Sequence, residues 1–489
     1  MPRINDSITE GQSTKLAAEA IRELCSVVGE QNVLWHPSDL MVYECDGYTI
    51  AKHRPDAVVF PSDTQQVAAV ARICHRHKIP MLPRGAGTSL AGGCVPLGGG
   101  LVIMLTRMTR ILEIDLRNRF AVVEAGVRNT QLARALVGSG YHFAPDPSSQ
   151  TASTIGGNVA TNAGGPHTLK YGVTVNHVLG VEAVLADGSI VQHGPVVDPG
   201  MLDLCGVLTG SEGTLAIVTK IWVRLTPLPS ALRTLRVAFP TVEDATEAVS
   251  EIIAAGLIPA ALELMDRGIL EAVEAAFQFG FPLDVGAVLV IELDGEEASL
   301  EEELQITRRI CERWNAREIL LANSPEERER LWKCRKSAVA AVGRLSPSYC
   351  IQDGVVPRTK LPQIVKKVQK ISQEFNIRIV NVAHAGDGNI HPIFLFDERE
   401  PAQVDRVLEA GRQVLEECIA LGGSITAEHG VGVEKLHLMR EQYRPEDLTA
   451  MRRLREAFNP DGLLTPGKLV PDERSLEWLG TYPRIGGAP

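Results

Sequence analysis

The sequence predicts an α+β protein of two or three domains, on three observations. Its 489 residues exceed what one hydrophobic core usually serves. The N-terminal half mixes short apolar runs, amphipathic stretches and glycine-rich turns, whereas strand-like and helical segments alternate regularly after Pro227 and Pro229. The last stretch, from Phe458 to Lys468, is rich in turn residues and has no periodicity. The expected domains are therefore 1–225, 226–455, and a terminal segment 456–489 that packs back on the first.

Each element has a local reason. Thr14 to Val28 sets Leu16, Ala20, Ile21, Leu24 and Val27 on one helical face. Ser62-Asp-Thr-Gln reads as a capping box, with Ser62 as the cap, before a helix carrying Val67, Val70, Ala71 and Cys74. Ala57 to Phe60, Leu101 to Leu105, Ile111 to Ile114 and Ala121 to Val123 are short apolar runs that read as strands. Gly180 to Val191 reads as a hairpin hinged at Asp187-Gly188, and Thr214 to Leu225 as a further strand. Beyond Pro229, strands Leu235 to Phe239, Ala260 to Met265, Ala287 to Leu293 and Ile319 to Leu321 alternate with helices Val242 to Ala255, Ile269 to Phe277 and Glu296 to Trp314. That order suits an open sheet covered by helices.

Composition narrows the function. A formal charge of −11 argues against general nucleic-acid binding, which needs a surplus of Lys and Arg, but leaves room for an anionic substrate met by a local cation. The nine cysteines (Cys25, Cys45, Cys74, Cys94, Cys205, Cys311, Cys334, Cys350 and Cys418) are scattered and never spaced C-x-x-C. They read as reduced core thiols and offer no ligand set for an iron-sulfur cluster. Met1 to Gln12 is polar, without the apolar stretch of a secretory signal, and no window approaches the roughly 20 apolar residues of a membrane span. A cytoplasmic protein is expected, with any membrane association made through a partner.

Two groups of residues carry chemistry. His384-Ala-Gly-Asp-Gly-Asn-Ile-His391, between the strand-like runs Ile379 to Ala383 and Ile390 to Phe396, brings two imidazoles to the ends of one hairpin-like turn. With Glu428, His429 and Gly430 the chain gathers three imidazoles and a carboxylate, enough to hold a divalent metal and leave one base free. His429 is the candidate base; orienting a ligand is its alternative role. The helix-borne H-E-x-x-H of zinc proteases is absent. The second group comprises the glycine-rich runs Pro83 to Gly93 and Ile155 to Gly165. Leu90 stands where a dinucleotide fingerprint needs its third glycine, and the Gly-Lys of a P-loop is missing, so neither motif applies. A turn rich in backbone N–H groups, with Arg84, Thr88 and Ser89, remains suited to a diphosphate.

Pro83-Arg-Gly-Ala-Gly-Thr-Ser89, Pro145-Asp-Pro147, Gly156-Gly-Asn-Val-Ala-Thr-Asn-Ala-Gly-Gly165 and Gly210-Ser-Glu-Gly-Thr214 resemble, in order and number, the FAD-binding domain of the vanillyl-alcohol oxidase type. The likeness spans nearly the whole chain. It is narrowest to the flavoprotein subunit of bacterial glycolate oxidase and its relatives, the D-lactate and D-2-hydroxyglutarate dehydrogenases. It implies a two-part FAD domain and an α+β cap built on an open, mainly antiparallel sheet. FAD would lie with its diphosphate along Pro83, Arg84, Gly85, Ala86, Gly87, Thr88 and Ser89. Pro145, Asp146, Thr154, Gly157, Asn158, Thr161, Ala163, Gly164, Glu212, Gly213 and Ile217 would complete the cradle. Members that attach FAD covalently use a histidine in the first loop; Gly85, Ala86 and Gly87 offer none, so FAD is expected to be noncovalent. The resemblance also implies His384, His391 and Glu428 as ligands to zinc, manganese or iron, and Arg335 as the residue that binds the substrate carboxylate.

The implied reaction is oxidation of a small 2-hydroxy acid, glycolate to glyoxylate or D-lactate to pyruvate, with His429 taking the hydroxyl proton and electrons leaving to a separate iron-sulfur subunit or quinone. Hydroxyglutarate-specific relatives hold a second carboxylate with a threonine and a lysine where this chain has Val339 and Ile351, and they carry an asparagine at Ile393. The first departure favours a monocarboxylic acid over D-2-hydroxyglutarate; the second bears on how the carbonyl side of the substrate is contacted. Rival readings are a nucleotide-dependent metallohydrolase and a non-catalytic flavin-binding assembly subunit.

Overall fold

The computed structural model describes residues 16–194, 202–472 and 475. The tail Met1 to Gln12, the start of the first helix and most of 473–489 lie outside them. Contacts divide the chain into two compact units. Of the described residues, the first contains those up to Ala163, those within Val173–Pro227 and those from His429; the second contains Gly164–Gly172 and Leu228–Glu428. The main change at Pro227–Leu228 falls two residues past the expected boundary. Two segments group otherwise than expected, each because of its partners: Val433 and Glu434 donate their N–H groups to Ala91 O of the first glycine loop, while His167 and Lys170 bond Glu292 and Asp294 of the second unit.

In the first unit, helix Ala18–Val28 buries Ala20, Ile21 and Leu24 against helix Thr64–His77. The latter begins one residue later than its capping box suggests. Asp63 is the cap, accepting from Gln66 N, and Gln66 Oε1 reaches back to Ser62 N, because a carboxylate outcompetes the Ser62 hydroxyl for the orphan N–H. A four-stranded sheet runs in the order Val33–Leu34, Ala57–Val59, Leu101–Met104, Met81–Arg84, its last three strands parallel. An antiparallel five-stranded sheet runs Ile111–Asp115, Phe120–Glu124, Ile217–Arg224, Val178–Val184, Ile190–His193. Strand Ile217–Arg224 alternates, burying Ile217, Thr219, Ile221 and Val223. The expected hairpin pairs Val184 with Ile190 around Gly188, whose φ is +82°.

The turn-rich C-terminal run is bound tightly to this unit. Met81 N donates to Leu463 O at 2.7 Å, Thr465 N to Met81 O at 2.7 Å, and Thr465 Oγ1 to Gly213 O at 2.8 Å. Buried Lys468 donates to Gly93 O at 2.8 Å and to Val95 O. An ammonium needs such carbonyl partners when it is taken out of water.

In the second unit one antiparallel sheet runs Glu318–Leu321, Ala231–Phe239, Ala287–Gly295, Ala261–Asp266, Ile379–His384, Asn389–Phe396, Ser348–Ile351, with Gly354–Val355 also on Asn389–Phe396. The strand Ala287–Gly295 is buried along nearly its full length, which explains its apolar run Ala287 to Ile291. Helices Val242–Ala254, Arg267–Phe277, Glu297–Arg313, Pro325–Val342, Leu361–Phe375 and Pro401–Ala420 complete the unit. No described helix is long and apolar enough to cross a membrane.

Burial lowers the Lys468 pKa from 10.5 to about 8. Below the lowered value the folded protein carries a disfavoured charge. Between it and 10.5 the unfolded chain binds more protons, so this contribution to stability rises with pH. Urea unfolding of wild type and Lys468→Met should therefore show wild type gaining about 3 kcal/mol relative to the variant between about pH 8 and pH 10.5. A pH-independent difference would contradict it.

Candidate active site

The first unit assembles the glycine loops into one interlocked cradle. Strand Met81–Arg84 ends at a turn in which Gly87 has φ +73° and Arg84 folds over the loop, donating to Tyr43 O and Cys94 O. A Cβ on Gly85 would lie 2.4 Å from Thr154 Oγ1, and one on Gly213 2.8 Å from Pro83 Cγ. Ala86 is exposed at the tip of the turn, Thr88 is half-buried, and Ser89 Oγ accepts weakly from Ala91 N and Gly93 N.

The second glycine run is not a loop throughout. Ile155–Thr161 is a helix, capped by Thr154 Oγ1 on Gly157 N and ended by Asn162 in the left-handed region. The cap overrides the weak helix propensity of Gly156, Gly157 and Thr161. Gly156 permits that helix to lie against Ala125; a Cβ would sit 2.6 Å from Ala125 Cβ. Buried Asn158 donates to Asn129 Oδ1 at 2.8 Å, and Asn129 donates to Pro145 O, so this amide holds the cradle together. Ile217 is wholly within the core, Ala163 is buried in the first unit, and Gly164 is buried in the segment that belongs to the second. Asp146 follows buried Pro145 and is half-buried. Glu212, with φ +51°, accepts from Val431 N at 2.7 Å and Gly432 N at 2.8 Å. Its carboxylate thereby clamps the loop that begins at His429. Burial raises the Glu212 pKa, opposed by those two N–H groups.

The residues present fit FAD. Arg84 Nε is buried without a hydrogen-bond partner beside a glycine turn rich in backbone N–H groups, and Gly85, Gly156 and Gly213 let the loops of the cradle pack closely on one another.

The second unit brings His384, His391 and Glu428 together. His384 stands opposite Asn389 and His391 opposite Val382, so the imidazoles are diagonal neighbours on one face, with ring centroids 5.1 Å apart. Both Nε2 atoms lie 3.2 Å from Glu428 Oε1. Gly386 keeps the turn tight, since a Cβ there would meet Leu169 Cδ2 at 2.6 Å. Each imidazole is oriented from behind: Nδ1 of His384 lies 2.8 Å from Glu263 Oε1, and Nδ1 of His391 lies 3.3 Å from Gln352 O. Asp353 Oδ2 accepts from Thr426 Oγ1 and from the N–H groups of Ala427 and Glu428, which fixes the backbone presenting Glu428. In the tautomer that donates each Nδ1–H to its acceptor, the two Nε2 lone pairs point toward Glu428 Oε1. A proton or a cation must reconcile them.

Electrostatics agree with the geometry. Burial works against the charge on His384, but Glu263 and Glu428 hold its pKa well above the usual range. Burial likewise opposes ionised Glu428, yet His384 and His391 hold it well below the ordinary carboxylate value. Burial raises Asp387, within the turn, to about 6. Two nitrogens and a carboxylate oxygen, mutually within 4.8 Å, thus form a donor set suited to a divalent ion.

Arg335 lies on helix Pro325–Val342 and, at 2% exposure, is buried rather than on the surface. Its Nη2 lies 2.7 Å from Glu263 Oε2, and its Nε is buried without a partner. Glu263, Glu292, Gln352 and Asp353 escaped the sequence reading. Their signal was an acid or amide inside an otherwise apolar strand, as in Ala-Leu-Glu-Leu-Met or Val-Ile-Glu-Leu-Asp.

One unit that bears a glycine-loop cradle and another, antiparallel, that bears an imidazole–carboxylate group define a flavin-dependent oxidoreductase of the vanillyl-alcohol oxidase type. Residues 55–194 match an FAD binding domain and residues 228–469 the C-terminal domain of FAD linked oxidases. The chain is 43% identical to the glycolate oxidase subunit GlcD of Escherichia coli (strain K12), over 94% of this chain and 92% of that one. It is 35% identical to a D-lactate dehydrogenase of Archaeoglobus fulgidus, over 84% and 91% respectively. The fold is shared with 4-ethylphenol oxidase from Gulosibacter chungangensis at a TM-score of 0.79 and 19% identity, covering 96% of this chain and all (100%) of that one. The chain belongs to the FAD-linked oxidase family.

Gly156→Ala should weaken FAD binding. Forcing the helix off Ala125 costs roughly 1–3 kcal/mol, about fivefold or more in the dissociation constant. The flavin-to-protein absorbance ratio after gel filtration measures this; unchanged retention would contradict the close-packing role.

Proposed function

We propose that this protein oxidises a small 2-hydroxy acid, glycolate first and D-lactate second, and passes the electrons to a separate acceptor. The observation that carries the proposal is the buried His384–His391–Glu428 group, backed by Glu263 and Arg335, in a chain of the FAD-linked oxidase family. The E. coli relative is named a glycolate oxidase subunit and the A. fulgidus relative a D-lactate dehydrogenase, which favours the same substrate class.

FAD, when bound, supplies the two-electron acceptor, and a divalent ion held by His384 Nε2, His391 Nε2 and Glu428 supplies a Lewis acid for the substrate hydroxyl. Arg335 binds the substrate carboxylate through the part of its guanidinium that Glu263 leaves unused. His429 takes the hydroxyl proton as Cα is oxidised, and it is carried on a loop that Glu212 holds in place. Ile351 is buried opposite Ile393, so the position where a second carboxylate would need a cationic partner is apolar. This supports glycolate or D-lactate over D-2-hydroxyglutarate. With no nicotinamide fingerprint and no cluster-ligating cysteine pattern in the sequence, the acceptor is an iron-sulfur subunit or a quinone, reached by a cytoplasmic protein through its partner.

Anaerobic mixing with glycolate should bleach the flavin absorbance, D-lactate should do so more slowly, and L-lactate and D-2-hydroxyglutarate poorly. No bleaching of FAD-loaded protein by any of the four would favour a non-catalytic subunit. His429→Asn should retain FAD and slow glycolate-driven bleaching by roughly 10² to 10⁴. Stopped-flow traces within twofold of wild type would remove His429 from the base role.

A further inference from the structure

We propose that Glu263 is a positioning residue that couples the substrate-binding arginine to the metal-binding histidine pair. The inference rests on the proposed function. Strand Ala261–Asp266 is almost wholly buried, and Glu263 is 0% exposed. An acid in that setting needs compensating partners, and this one has two. The antiparallel register sets Glu263 directly opposite His384. Both carboxylate oxygens, at 2.8 and 2.9 Å, face His384 Nδ1, while Oε2 also meets Arg335 Nη2 at 2.7 Å. One oxygen is thus shared between an imidazole and a guanidinium that come from different elements.

Two consequences follow from this sharing. An Nδ1–H that donates to Glu263 leaves the Nε2 lone pair of His384 aimed at Glu428 and His391, the tautomer a metal ligand requires. The same carboxylate fixes one arm of Arg335 and leaves Nε buried and unpartnered, so the orientation of the guanidinium is set before a substrate carboxylate reaches it. Replacing the carboxylate by an amide opposes an NH2 group to either Nδ1–H or the guanidinium. One of the two must then turn away.

The test uses the FAD-loaded, full-length protein stripped with a chelator and titrated with Zn²⁺ against a chromophoric competitor. Glu263→Gln should bind Zn²⁺ 10- to 100-fold more weakly than wild type. At saturating Zn²⁺, kcat for glycolate should return to within about threefold of wild type while KM stays raised about tenfold or more. Zn²⁺ affinity or KM within twofold of wild type, in a variant with full FAD, overturns the coupling role, as does wild-type protein that binds no Zn²⁺. If Glu263→Gln fails to fold, Glu263→Met with Arg335→Met removes the ion pair without leaving a lone charge. Zn²⁺ binding in this double variant should still weaken at least tenfold, and wild-type affinity overturns the proposal. The zinc measurement needs no turnover, so failure of glycolate to bleach wild type defeats the oxidation reading separately.

Discussion

The buried carboxylates of the second unit set the terms for everything around them. Glu263, wholly buried, and Glu428, whose side chain is 12% exposed, would be disfavoured as anions without partners within hydrogen-bond reach. The register of three strands provides those partners. Ala261–Asp266 opposes Ile379–His384, which opposes Asn389–Phe396, so that two imidazoles and the Arg335 guanidinium meet two carboxylates in the interior. A slip of one residue in any pairing would turn His384 or His391 to the other face and leave a buried charge alone. The donor set is therefore a consequence of how the sheet is registered.

The first unit solves a different problem, close approach of backbone to a large ligand. Its loops are held by groups that give up their own polarity to the fold: Asn158 to Asn129, Glu212 to Val431 and Gly432, Lys468 to Gly93 and Val95. Side chains that look suited to a cofactor in the sequence turn out to fasten one loop to the next. The glycine turns and Arg84, whose Nε is buried without a hydrogen-bond partner, are the parts of these loops not used up in this way.

Much of this was legible in the residues. The hairpin carrying His384 and His391 is local, because its strands and turn are contiguous, and the histidine pair could be placed on one hairpin before any fold was known. The glycine runs and the alternating helices and strands beyond Pro229 were legible for the same reason. What could not be read involves long-range pairing. Glu263 and His384 are 121 residues apart, and only the strand register joins them. Segment Gly164–Gly172 follows a cofactor motif in sequence yet bonds Glu292 and Asp294 of the second unit. Helix Ile155–Thr161 was hidden because its glycines argue against a helix and the Thr154 cap that decides the matter is a single side chain.

The account turns on His384, His391 and Glu428 forming one ion-binding centre. Anomalous diffraction from crystals of the purified, FAD-loaded protein, collected on both sides of the zinc, manganese and iron edges, tests this most directly. It predicts one strong peak bounded by the two Nε2 atoms and the Glu428 carboxylate. Its absence in fully loaded crystals, or a peak only at another compact donor group of the described residues, such as His193, Asp203 and Cys205, would contradict a metal centre at these three residues.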